Sequence, residues 1–110
     1  MTGYGLEPTR ETYDVDVIAA ATLACPGVAG LYGGGPRVIA TYLPGRRVDG
    51  VRIENDHVLV SVVLVYGVQV RTLERQVRSA LAPYVDGRSI DVHVADVQPA
   101  NDVLSGETRG

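Results

Sequence analysis

The chain has no Trp, no Phe and no Lys, and a single Cys among its 110 residues. With Trp and Phe missing, six Tyr are the only aromatics, and a core has to be assembled from Val, Leu, Ile and Ala. Such a core is thin, and a partner subunit would add burial that one copy lacks. With Lys missing, all ten basic residues are Arg, the compositional mark of a GC-rich genome. One cysteine, Cys25, cannot close an internal disulfide, and no Cys/His ladder suggests a metal site, which suits a reducing compartment. A net charge of −3 offers no basic field to phosphate backbones, so nucleic acid is not an expected partner. No apolar run approaches the roughly 20 residues of a membrane span. Met1-Thr2-Gly3-Tyr4-Gly5 lacks the basic and apolar segments of an export signal. The expectation is a cytoplasmic protein with no direct membrane insertion.

What is present is globular: 45% of residues are apolar and 21% charged, and the length suits one domain. Residues 1–12 and 99–110 have no periodicity and are expected to be flexible tails around a single domain over 13–98. Asp14 can cap a helix to about Cys25, with Val17, Ile18, Ala21, Leu23 and Ala24 at its apolar positions and Pro26-Gly27 stopping it. Two short strand-like runs follow, Val28–Tyr32 and Arg37–Leu43, separated by Gly33-Gly34-Gly35-Pro36, and Pro44-Gly45-Arg46-Arg47 reads as a turn. Val51 and Ile53 alternate with Arg52 and Glu54, Asn55-Asp56 turns the chain, and Val58–Tyr66 is almost continuously apolar, which predicts a hairpin. Its second strand is apolar on both sides and needs a second layer or a neighbour to cover it. Val70, Leu73, Val77, Leu81 and Tyr84 then form a helical stripe ended by Pro83, and Ile90–Val97 alternates as a half-buried strand. The fold class is therefore α+β. The expected architecture is a small mixed sheet of three to five strands with two helices on one face, in the order α-β-β-α-β plus the runs at 28–43.

Chemistry is sought and not found. No GxSxG step surrounds a serine, and Cys25 at the end of an apolar helix reads as a small buried hydrophobe. His57 and His93, with Asp56 and Asp91, could meet across the sheet as metal ligands. Without a spacing motif they read better as solvent-facing strand residues. The Gly33–Gly35 run leads through Pro36 into β-branched residues rather than into a helix, so it reads as a turn and not a phosphate cradle. No enzyme, cofactor or metal is expected. One surface feature stands out: at about 100° per residue, Arg71, Arg75 and Arg78 share one stripe of the second helix, away from its apolar side. This is either a solvated face steadied by Glu74 or a docking surface for an acidic protein or anionic headgroups.

Five segments together resemble one family: Pro26-Gly27-Val28-Ala29-Gly30-Leu31, Gly50-Val51-Arg52-Ile53, Val65-Tyr66-Gly67-Val68, Leu73-Glu74-Arg75-Gln76-Val77 and Ile90-Asp91-Val92-His93-Val94. Their succession resembles the bacterial alkaline shock proteins, also called the general-stress or envelope stress response family, over residues 14–98. The resemblance implies a small cytosolic protein without an active site that self-associates as a homo-oligomer in envelope or alkaline stress. In some relatives a separate membrane-anchor protein holds it near the membrane. It carries over structural roles only for Gly27 and Gly67, as tight helix-to-strand and strand-to-helix transitions.

Overall fold

The computed structural model describes the backbone of residues 10–99 and the side chains from Asp14 onward. The chain order is α1 (Arg10–Leu23), β1 (Val28–Leu31), β2 (Ala40–Leu43), β3 (Arg46–Asp49), β4 (Val51–Ile53), β5 (His57–Leu64), α2 (Val70–Leu81) and β6 (Ser89–Val97). A short 3-10 turn, Ala82–Tyr84, follows α2. The fold is α+β, and the described residues form two helices, a four-stranded mixed sheet and a second two-stranded sheet.

β5 is the axis of the main sheet. β6 runs parallel to its whole length on one side, from His57 opposite Ser89 to Leu64 opposite Val97. On the other side two antiparallel strands share its edge: β4 pairs with the first half (Val51 opposite Val60) and β1 with the second (Leu31 opposite Val62). The crossover from β5 to β6 is α2, as a parallel pair requires. Its periodicity is the reason it folds as it does. Leu73, Val77 and Leu81 are fully buried, each contributing roughly 1.5–3 kcal/mol on transfer from water. With Val15 and Ile18 of α1 they cover Val58, Val60, Val62 and Leu64, so both helices lie on one face of the sheet.

Helix α1 departs from expectation at both ends. It begins at Arg10, so Asp14 is an interior residue rather than a cap, and residues 10–12 of the expected tail are helical. Its buried side is Val15, Ile18 and Thr22, whereas Leu23 is half exposed and Ala24 exposed. Thr22 returns its hydroxyl to the Ile18 carbonyl at 2.7 Å, which satisfies it inside the core. Residues 1–9 and 100–110 of the expected tails lie outside the described residues.

The stretch read as a turn at 44–47 is a hairpin. β2 and β3 pair from Ala40 opposite Asp49 to Leu43 opposite Arg46, around Pro44-Gly45 with Gly45 at a positive φ of 78°. The hairpin joins the main sheet at β4; its Arg46 pairs with Asp16 of α1 at 2.9 Å, and Val48 packs against the helix-side cluster. Arg52 and Leu59 are opposite each other, on the face away from the helices. The Arg52 guanidinium reaches over that face to the Val38 carbonyl at 2.7 Å. Gly50 donates to the Ile39 carbonyl at 2.7 Å, and the Thr41 hydroxyl donates to the Val51 carbonyl at 2.6 Å. Ile39, Ala40 and Leu59 are buried outside the helix-side cluster. One chain thus supplies both covers for β5.

Gly50 is the joint between β3 and β4. Its φ is 80°, and a Cβ there would lie 2.7 Å from the Ser61 carbonyl oxygen, 2.9 Å from Leu31 Cβ and 3.0 Å from Tyr32 N. Only glycine accepts that backbone at that distance. Beside it, Ser61 donates its N–H to Gly50 O and accepts at its carbonyl from Tyr32 N, both at 2.9 Å, where β4 hands the edge of β5 over to β1.

Candidate functional site

The two glycines carried over from the resemblance lie at the transitions between helix and strand. Gly27 sits between α1 and β1, its N–H donating to Gln76 Oε1 of α2 at 2.7 Å, and an added Cβ would lie 2.8 Å from that oxygen. Gly67 stands between β5 and α2 with a φ of 91°. Gln76 is the polar tie between α2 and the turn before β1; the sequence shows it only as part of the Leu73–Val77 segment, because a lone amide on a helix has no spacing signal of its own.

The histidines do not meet. His57 is level with Ser89 and His93 with Ser61, four positions along β5, which separates them by about 13 Å. Among the described residues no three His, Cys, Asp or Glu side chains are grouped so as to hold a metal ion. His57 instead sits in a local acidic cluster: Nδ1 is 2.7 Å from Asp56 Oδ1 and Nε2 is 3.6 Å from Glu54 Oε1. The hydrogen bond to Asp56 pushes the imidazole above its ordinary value; desolvation opposes it, and the charges of Asp56, Glu54 and Asp91 add to the rise. The same bond holds the Asp56 carboxyl below the ordinary carboxylate range.

Cys25 is buried beside a shallow groove of about 340 Å³ between α1 and α2, lined also by Ala21, Ala24, Pro26, Gln76 and Ser79. Its thiol points to the Ala21 carbonyl at 3.5 Å, and desolvation raises its pKa, the opposite of what a nucleophilic thiolate requires. Ser61 Oγ is the one fully buried side-chain oxygen or nitrogen among the described residues without a hydrogen-bond partner. It lies mid-strand, level with His93.

Arg71, Arg75 and Arg78 are all exposed on α2. Glu74 forms no ion pair with them among the described residues, so the helix-surface pairing expected there is not made. Arg78 has a different partner: its Nη1 donates to the Ile90 carbonyl of β6 at 2.5 Å. That bond places Arg78 beside the outer edge of β6, with Arg75 and Arg71 further back along the same helix. In a parallel ladder alternate residues direct their backbone groups to opposite sides. Ser89 turns its N–H toward β5, bonding Asp56 O at 3.1 Å, so Ile90, Val92 and Val94 turn theirs outward. Among the described residues β6 pairs only with β5. The arrangement is an open strand edge with a guanidinium already on its first outward carbonyl.

A second surface lies on the hairpin side. Tyr42 is 69% exposed and Val38 45%, with Tyr32 at 36%. Arg47 stacks over the Tyr42 ring at 5.4 Å and donates to the Gly33 carbonyl at 2.9 Å, fixing the hairpin against the loop that follows β1. Among the described residues no helix is long and apolar enough to cross a membrane. No family model, no curated protein and no solved structure matches this chain.

Proposed function

We propose that this chain is a non-catalytic, self-associating interaction module acting in the cytoplasm in an envelope or alkaline stress response. The stress assignment rests on the resemblance to the alkaline shock proteins. The observation that supports self-association is the exposure of large apolar side chains on the hairpin and the segment before it, Tyr42, Val38 and Tyr32. Sedimentation at high micromolar concentration tests it. An assembly that Tyr42→Ser with Val38→Ser disperses supports the reading, and a strict monomer removes it.

A second reading is favoured by the exposure of Arg71, Arg75 and Arg78 together on one side of α2. In it the protein is a peripheral adaptor that binds an acidic protein, such as a membrane-anchor partner, through that stripe. Replacing all three by Gln and finding unchanged recovery of partners in pulldown would dispose of it.

A further inference from the structure

We propose that the outer edge of β6 is a strand-addition site that takes an extended, acidic segment of a partner protein. The segment would pair with the backbone of Val92 and Val94 while its acidic side chains meet Arg71 and Arg75. The proposal deepens the adaptor reading and rests on it.

The edge is long enough to be read. β6 has nine residues, and backbone groups of Val92 and Val94 face away from β5 with no partner strand among the described residues. Natural sheets blunt an edge of this length with a bulge, a proline, a charge or a covering element. Here the register shift falls at Val62/Val63, opposite the last third of β6, and leaves the stretch from Ile90 to Val94 regular. A single side chain, Arg78, covers the Ile90 carbonyl.

The charges on the two sides of that edge differ, and this selects the occupant. In a β-α-β crossover α2 runs antiparallel to β6. Starting from Arg78 over Ile90, the rise along the helix places Arg75 about 4–5 Å and Arg71 about 10 Å further along the edge, which spans about three strand residues, to between Val92 and Val94. On the other face Asp91 and Asp96 are exposed and His93 is half-buried. An incoming strand alternates its side chains between these faces. Residues on the α2 side meet two guanidinium groups that have no ion pair among the described residues, and residues on the opposite side meet carboxylates. A segment with acidic residues at every second position, on the helix side, and apolar or polar residues between them satisfies both. A basic segment meets repulsion on the helix side, and a second copy of β6 would bring its own Asp91 and Asp96 against like charges.

The test uses a fluorescently labelled nine-residue peptide of alternating Glu and Val, with its Lys/Val counterpart as control, titrated with the full chain in low salt. Binding of the Glu peptide and not the Lys peptide is expected. Arg71→Gln with Arg75→Gln should weaken it at least tenfold. Val92→Pro should weaken it as much, since it removes an outward N–H and leaves the ladder with β5 intact. Thermal melting checks that Val92→Pro folds; if it does not, N-methylating alternate peptide amides interrogates the same bonds from the other side and should abolish binding. If the Arg substitutions weaken binding but Val92→Pro and peptide N-methylation do not, strand addition is overturned and the adaptor reading survives. If neither peptide binds, the proposal is overturned. It also falls if a dimer lost on Val92→Pro occupies the edge instead. Phosphatidylserine vesicles whose binding depends on the Arg residues alone, without peptide binding, would also overturn it.

Discussion

The two faces of β5 are sealed by different means. Toward the helices, Val58, Val60, Val62 and Leu64 meet Val15, Ile18, Leu73, Val77 and Leu81, a layer of aliphatic side chains in which burial alone supplies the stabilisation. Away from the helices, Leu59 and Ser61 are buried within the same chain, and hydrogen bonds from Gly50, Thr41 and Arg52 hold residues 38–51 together beside them. The first face is held by area and the second by a few directional bonds and one glycine. The first therefore responds to lost volume, and the second to lost geometry.

That contrast can be broken by substitution. Leu73→Ala should cost most, about 2–5 kcal/mol, because it leaves a cavity in the helix-side layer; chemical denaturation measures it. Gly50→Ala comes next, at roughly 2 kcal/mol or more, since it adds a Cβ against Ser61 O to an already positive φ. Thr41→Val should cost about 1 kcal/mol by unpinning the hairpin from the Val51 carbonyl. Ser61→Ala should be neutral or stabilising by up to about 1 kcal/mol, because the hydroxyl it removes is buried without a partner among the described residues. The smallest effect is on pH dependence. His57 is raised in the folded state, so its contribution is complete below the ordinary imidazole value and is lost as pH rises through the raised one. Asp56 is lowered, so its contribution is present above the ordinary carboxylate value and is lost as pH falls through the lowered one. An NMR titration should show His57 returning toward its ordinary value in Asp56→Asn.

The same contrast explains what was legible in the sequence. Helix α2, the hairpin around Asn55-Asp56 and β6 announce themselves through period 3.6 or period 2, because each buries one side of a regular element. The hairpin of residues 40–49 does not: its strands have four residues each, and β3 is Arg-Arg-Val-Asp, too short and too polar for alternation to show. The need to cover both sides of β5 could be read from Val58–Tyr66, but not how one chain meets it, since the bonds of residues 38–51 go to backbone carbonyls and, from Arg46, to Asp16 of α1. The Arg stripe was legible as a stripe. Its position beside an open strand edge depends on the β5–β6 register, which no local pattern encodes.

Cysteine labelling in dilute solution tests most directly whether one copy closes both faces. In a Cys25→Ala background, Leu59→Cys and Val60→Cys report the outer and helix-side faces, and Tyr66→Cys gives the exposed reference. Leu59→Cys is expected to be protected to nearly the same degree as Val60→Cys at concentrations where the protein is monomeric. Labelling of Leu59→Cys as fast as Tyr66→Cys, slowing only when the protein is concentrated, would contradict it and return the cover to a second subunit.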